Sequence, residues 1–391
     1  MILNNVTLLI AGELVKRDIY FEDKIHYIKK DLSKGKDCTG LFLMPGLTNA
    51  HVHLGSRSVA GAGLGMKKYE YFDAIGFESH KRRTKEDLYK ASLLACLESL
   101  KNGVTHIDTM DVDPEPVIKA LKKTGLSYTA CLPLKDNHLE AGDLEQDFKK
   151  TLKLKKEYGN KILLGLANEF ECTPQLIRQG LSFAREHDLA IHTHACETIE
   201  EVKHMRELTG KRTIQYFNDI GMLAHDVRIA HCTYADTKDI LYLSENNVPI
   251  LHCPTSNEAI SDNLPPIRDM IRNNNIISLG TDSFAWNPNA SILKEAWRSH
   301  ELKDAPIEEV YKMTHQPLSK GVEASFSLID INKLKPFNST SEFLAKLMNI
   351  NAIKNVYLKG KKVIEKGKNY LGINESKLTK DVDNIKKKLL K

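Results

Sequence analysis

Hydrophobic and polar positions along this 391-residue chain follow two different textures. The first forty-odd residues carry short alternating runs broken by turn residues, as in VTLLIAGELV, DIYFEDKIHYI and TGLFLMPG. Residues two apart on a strand share a face, so these runs predict short strands joined by tight turns. From Leu47 the texture changes. Short apolar runs now alternate with longer amphipathic segments. The runs cover 47–53, 104–108, 126–132, 162–167, 189–194, 227–231, 248–252 and 276–282. Between them lie helical patterns such as KEDLYKASLLACLESLKNG, DLEQDFKKTLKLKKEYGN and PQLIRQGLSFAREHD, several closed by NG, GN or TG.

Eight buried-type strands separated by helices predict an α/β fold, a closed parallel (β/α)8 TIM barrel over residues 47–321. An open doubly wound sheet would explain the alternation equally well, so the polar residues must decide. Beyond about residue 320 the strand texture returns in EASFSLIDI and NVYLKGKKVIEKGK. Residues 1–46 and 322–391 are therefore expected to pair into a small flanking β-sandwich. A basic amphipathic helix over 377–391 finishes it.

Composition narrows the class. Hydrophobic residues make up 41% and charged residues 27%, the balance of an ordinary globular protein. No apolar run is long enough to span a bilayer, and the N-terminus lacks a basic, apolar secretory signal. No membrane role is expected, and the expected location is the cytoplasm. Seven cysteines and no CxxC argue against a disulfide scaffold or a zinc knuckle. A net charge of +5 is modest. The run Lys386-Lys387-Lys388 reads as a solvated helix face, so no nucleic-acid partner is expected.

Titratable residues fall at the ends of the predicted strands. His51 and His53 end the first, His192 and His194 the fifth with Glu197 just beyond, His231 the sixth, His252 the seventh and Asp282 the eighth. These are C-terminal strand ends, the face where barrels build their sites. In a closed ring the eighth strand neighbours the first, which returns Asp282 to the His51/His53 pair. Taken singly, each has a plainer reading: a strand-end histidine is usually a hydrogen-bonded structural residue, and Asp282 could cap a turn. Falling in register, they point to a cation site. Imidazoles with one carboxylate suit Zn²⁺ first and Fe²⁺ second, not Mg²⁺ or Ca²⁺. No lysine ends the fourth strand, KILLGLANE, to bridge a second metal, so one divalent ion is expected.

The motifs PGLTNAHVHLG, HTHACETIEEV, RIAHCTYAD, LHCPTSN and LGTDS, with the late NVYLKGKKVIEKGK strand pair, resemble the amidohydrolase superfamily along nearly the whole chain. The likeness is to its mononuclear branch of S-adenosylhomocysteine/methylthioadenosine deaminases, guanine deaminase and triazine chlorohydrolases. That resemblance implies His51, His53, His194 and Asp282 as metal ligands. It implies Glu197 as a proton-shuttling acid, His231 as the residue orienting the attacking water, and a catalytic place for His252. His192 gets no role from it.

The chain also departs from the family pattern. The end of the fourth strand reads LANEFEC where purine deaminases often carry G-P-H, which makes Asn168 and Glu169 the candidate substrate contacts. The eighth strand continues as GTDSFAWNP, and the segment after the first strand is short and glycine-rich. Arg57 and the Arg82–Arg83 pair are candidates for an anionic substituent, against a plainer surface role.

The expected reaction is hydrolytic deamination of an aminated purine, pyrimidine or pterin. Metal-bound hydroxide attacks, Asp282 takes a proton, and Glu197 protonates the ring nitrogen and then the leaving amine. The alternatives are hydrolysis of another C–N bond (a formimino or guanidino imine, or a cyclic amide) and a non-catalytic barrel scaffold. The expected partner is a small-molecule substrate, and barrels of this kind commonly pair as homodimers.

Overall fold

The computed structural model describes residues 1–137, 142–261 and 263–391. Eight parallel strands run in chain order: Leu47–His53, Val104–Met110, Ser127–Cys131 continued by Pro133–Leu134, Leu164–Leu166, Ile191–Ala195, Val227–His231, Ile250–His252, and Ile277–Leu279 continued by Asp282–Ser283. Each pairs with the next. Asp282 then pairs opposite Val52 and Ser283 opposite His53, so the last strand lies against the first. The ring is closed. The open-sheet alternative ends with that pairing.

Closure depends on a close approach at the eighth strand. A Cβ on Gly280 would stand 2.7 Å from the His51 carbonyl oxygen and 2.9 Å from its nitrogen and Cβ. Only a residue without a side chain lets the two backbones meet there. Asn49 and Thr281 clasp the same seam: the Asn49 amide donates to Thr281 Oγ1 at 2.7 Å, and the Thr281 N–H donates to Asn49 Oδ1 at 3.0 Å.

The predicted helices stand outside the ring. Lys85–Lys101 starts from Thr84, whose hydroxyl accepts from the Asp87 N–H while the Asp87 carboxylate accepts from the Thr84 N–H. This reciprocal cap satisfies two backbone donors that a helix start leaves open. Leu144–Tyr158 and Pro174–Glu186 begin on Asp143 and Thr173 in the same way, each accepting from one backbone N–H.

The chain's two ends meet in one nine-stranded sheet. Leu41–Pro45 pairs antiparallel with Phe326–Asp330, joining the N-terminal strands to Ile353–Leu358 and Lys361–Glu365. The facing layers of the expected sandwich are halves of this single, curled sheet. Phe21 meets Phe326 and Tyr357 edge-on, ring centroids 5.1 and 5.9 Å apart, around a core that includes Leu3, Ile19 and Leu328.

Helix Thr340–Asn349, which the strand texture does not predict, lays Phe343 edge-on against Phe42 with centroids 4.9 Å apart. Those two residues pack in the same apolar cluster as the barrel helices. The C-terminal helix Glu375–Leu389 sets Ile385 and Leu389 against Val59. Its basic run is not merely a solvated face: Lys386 Nζ donates to the Ala60 carbonyl at 2.6 Å, and Lys388 pairs with Asp87.

Between the first strand and Lys85 the chain forms short helical turns, Leu54–Val59, Lys68–Tyr71, Phe72–Gly76 and Phe77–Arg82, which contribute much of the wall of the barrel mouth. Tyr71 packs with Ile260 and Trp286, and the Trp286 indole donates to the Met66 carbonyl at 2.9 Å. All seven cysteines are free and buried. No helix among the described residues is long and apolar enough to cross a membrane.

Candidate metal-dependent active site

The strand ends converge as ring closure requires. His51 Nε2 and His53 Nε2 lie 3.3 and 3.2 Å from Asp282 Oδ1. His194 Nε2 lies 3.3 Å from His53 Nε2. One ligand atom from each of His51, His194, His231 and Asp282 falls within 4.8 Å of the other three. That foursome holds His231 where the family resemblance names His53, and His53 joins it through Asp282 and His194. Two of the turning points are strained. His231 and Asp282 adopt left-handed backbone at φ of 74° and 56°, a region that side-chain-bearing residues avoid unless the surroundings enforce it.

The protons show why a cation belongs here. The outer nitrogens of two histidines are spoken for: His53 Nδ1 donates to the Met110 carbonyl at 2.6 Å, and His194 Nδ1 to the Ala167 carbonyl. A carbonyl only accepts, so each imidazole carries a proton on Nδ1, and in the neutral ring that leaves Nε2 as a lone pair turned inward. His51 Nδ1 meets His192 Nε2 at 2.9 Å, and buried His51 Nε2 has no hydrogen-bond partner among the described residues. Burial pulls His51 down to about 4 and holds His194 and His192 well below the ordinary imidazole value, which keeps them neutral.

Burial pushes Asp282 upward, but the imidazoles of His51, His53 and His231 around it hold it well below the usual carboxylate range. Ser256 Oγ donates to its other oxygen. Several buried acceptors thus crowd one point with no proton to share. Left alone they would repel, and a divalent cation satisfies them together. The donor set fits the ion.

Glu197 sits beside this cluster, 2% exposed, with Oε2 3.6 Å from His231 Nε2. Lys68 Nζ donates to that same oxygen at 2.6 Å and to Glu201 Oε1 at 2.6 Å, while Tyr69 donates to Glu201 at 2.9 Å. Burial works to raise the Glu197 carboxyl, but His231 and the Lys68 ammonium outweigh it and leave Glu197 below its ordinary value. The cavity over the cluster is lined by His53, Lys68, Asp111, Glu171, Glu197 and Asp282, among others.

Two expected contacts are placed differently. Glu169 is fully buried and does not line the cavity. Its Oε1 accepts from the Cys196 N–H and the Thr213 hydroxyl, both at 2.8 Å. Asn168 does line it, yet its Oδ1 accepts from the Phe170 and Glu171 N–H groups and its amide donates to Glu171 Oε2, all at 2.8 Å. That side-chain turn bends the chain after the fourth strand, and Glu171 rather than Glu169 faces the cavity. His252 is buried and does not line the cavity, and among the described residues its side chain reaches the site through Asn257. Arg57 pairs with Glu98 at 2.8 Å away from the mouth, whereas Arg83 lines the cavity and donates to the Gly55 carbonyl at 3.0 Å.

Sequence reasoning passed over Lys68, Asp111 and Glu171. Asp111, just past the end of the second strand, could have been found by the rule that exposed the histidines. Lys68 and Glu171 lie in turns that give no periodic signal.

A model of the amidohydrolase family matches residues 42–363. The chain belongs to the amidohydrolase family. This amidohydrolase is 26% identical to a 5-methylthioadenosine/S-adenosylhomocysteine deaminase of Halothermothrix orenii, over 100% of this chain and 96% of that one. It is 24% identical to a 5'-deoxyadenosine deaminase of Methanococcus vannielii, over 95% and 93% of the two chains. Among solved structures, the zinc complex of an atrazine chlorohydrolase from Arthrobacter aurescens superposes at a TM-score of 0.86 with 16% identity, covering 98% of this chain and 99% of the other. That likeness is one of fold.

Proposed function

We propose that this amidohydrolase is a zinc-dependent hydrolytic deaminase that releases ammonia from an aminated heterocycle, an adenosine-type purine first. One observation carries the reading: a buried, lysine-paired carboxylate, Glu197, stands beside a His/Asp cation cluster at the floor of a cavity. An amine is a poor leaving group and needs a positioned acid, which such a carboxylate supplies. The ligands in this reading are His51, His53, His194 and Asp282. A bound divalent cation supplies the Lewis acidity that brings water towards hydroxide at neutral pH.

The chain's own residues do the rest. His231 Nε2 and Glu197 Oε2 are two acceptors 3.6 Å apart, and a water donating to both is held in place for attack. Because Lys68 keeps Glu197 ionised, Glu197 cannot begin as a donor. It first takes a proton from the water and then hands it to the ring nitrogen beside the attacked carbon. Asp282 receives the remaining hydroxyl proton, and Glu197, ionised again once the ring nitrogen has its proton, relays that second proton to the amine, which leaves as ammonia. Each positioned acid–base group is worth about 10²–10⁴-fold.

The test is ammonia release across adenosine-type nucleosides, aminopurines, aminopyrimidines and pterins, with metal content measured in parallel. Glu197→Gln should keep its zinc and lose about 10²–10⁴-fold or more in turnover. A fully loaded wild-type protein that releases no ammonia from any of them would favour an imine substrate or a binding scaffold instead.

A further inference from the structure

A chain of buried side chains leads outward from the site. His231 Nδ1 lies 2.7 Å from Asn257 Oδ1, Asn257 Nδ2 lies 3.3 Å from His252 Nδ1, and His252 Nε2 lies 3.0 Å from Asp304 Oδ2. Ser299 Oγ donates to that same aspartate oxygen at 2.8 Å. His231 is 1% exposed, Asn257, His252 and Ser299 0%, and Asp304 7%.

Two imidazoles joined by one amide can run their hydrogen bonds in either direction, because each ring nitrogen can donate or accept and the amide offers one of each. The carboxylate at the end cannot, since it only accepts. We infer that Asp304, acting through His252 and Asn257, dictates which ring nitrogen of His231 is left bare towards the cavity.

The direction follows link by link. Asp304 requires the proton of His252 on Nε2, so His252 Nδ1 accepts. The Asn257 NH₂ must then face His252, and its oxygen must face His231. That oxygen accepts, so His231 carries its proton on Nδ1 and presents Nε2 as a lone pair opposite Glu197. Run the other way, the chain would place an N–H there, and His231 could no longer accept from a water shared with Glu197. The left-handed backbone at His231 adds a reason for the anchor, since that conformation needs outside support. Asn257, His252 and Asp304 are positioning residues for His231. The inference rests on the deaminase reading only for its effect on rate.

Histidine-selective ¹⁵N NMR of the full chain loaded with Zn²⁺ reads the tautomers without a substrate. The wild type should show His231 protonated on Nδ1 and His252 on Nε2. Asp304→Leu should mix the two tautomers of His231 and lower kcat about 10–100-fold, with zinc content kept and KM changed much less. Asp304→Glu retains an end that only accepts and should keep the wild-type spectrum. Should Asp304→Leu not fold, the isosteric Asn257→Asp decides: His231 keeps its Nδ1 proton while His252 gains one on Nδ1.

Protonation of wild-type His231 on Nε2 would overturn the inference. So would a folded Asp304→Leu with the wild-type spectrum, or an Asn257→Asp that leaves His252 unchanged. If no heterocycle yields ammonia, the deaminase reading falls while the spectra still decide the relay.

Discussion

Lys68 and Glu169 illustrate how a single buried charge is handled in two ways. Lys68 is compensated by two carboxylates, Glu197 and Glu201, each 2.6 Å away. Lys68→Met would leave both acids buried without their cation, which by comparison with broken buried pairs costs about 3–5 kcal/mol. Denaturant unfolding should register that loss. The same variant should move the acid limb of kcat/KM to higher pH, because Lys68 helps hold Glu197 below its ordinary value.

Glu169 pairs with no cation among the described residues; its Oε1 accepts from the Cys196 N–H and the Thr213 hydroxyl. Burial first, then the charge of Glu201, pushes it up to about 8, and its Oε2 is a buried oxygen without a partner among the described residues. Its folded pKa therefore lies above the unfolded value of about 4.3, and the folded state loses stability as pH rises between the two. Glu169→Gln keeps an accepting oxygen for Cys196 and Thr213 and cannot ionise. Relative to wild type it should gain stability steadily from pH 5 to 8, read from Tm against pH. A parallel pair of curves would show that Glu169 does not titrate there.

At the scale of elements, the site is only as good as the seam between the first and eighth strands. Asp282 belongs to one and His51 to the other, and Gly280 lets them approach. Gly280→Ala should force the strands apart, costing about 1–3 kcal/mol of overpacking. It should also weaken zinc binding more than a helix-surface substitution does, as competitive chelator titration would report. Retained wild-type affinity would mean that ring closure and site geometry are independent.

The strands themselves were legible because runs buried on both faces must be apolar, and the observed strands fall within a few residues of the runs. The turns 54–82 were not, since they display no sustained apolar period, and helix Thr340–Asn349 was passed over although Phe343, Leu344, Leu347 and Met348 recur on one face behind the Ser339 cap. Their places come from partners distant in sequence, Trp286 and Phe42 among them.

For the whole molecule, the cation links the site to stability. Several acceptors from the first, fifth and eighth strands converge on one point, so an ion binding there favours the closed barrel over the unfolded chain. Removing metal with a chelator should lower Tm, and added Zn²⁺ should restore it. At free metal about 100 times Kd the stabilisation is about 2.7 kcal/mol. An unchanged Tm with metal verifiably removed would separate the site from the fold's stability. The curled terminal sheet and the C-terminal helix brace the same body: Lys386 and Ile385 reach the turn after the first strand, next to the cavity wall.

The order of apolar runs and the residue types at their ends were enough to determine a closed barrel and a cation site at its mouth, because both are set by local pattern and by which neighbours a ring must have. Which glutamate faces the cavity, that Lys68 pairs with Glu197, and that the His252 side chain reaches the site through Asn257 were decided by tertiary structure alone. Those facts depend on side-chain direction after the strand ends, where the chain turns and alternation stops. Past that point a residue's neighbours come from packing between distant segments, and no local period records them.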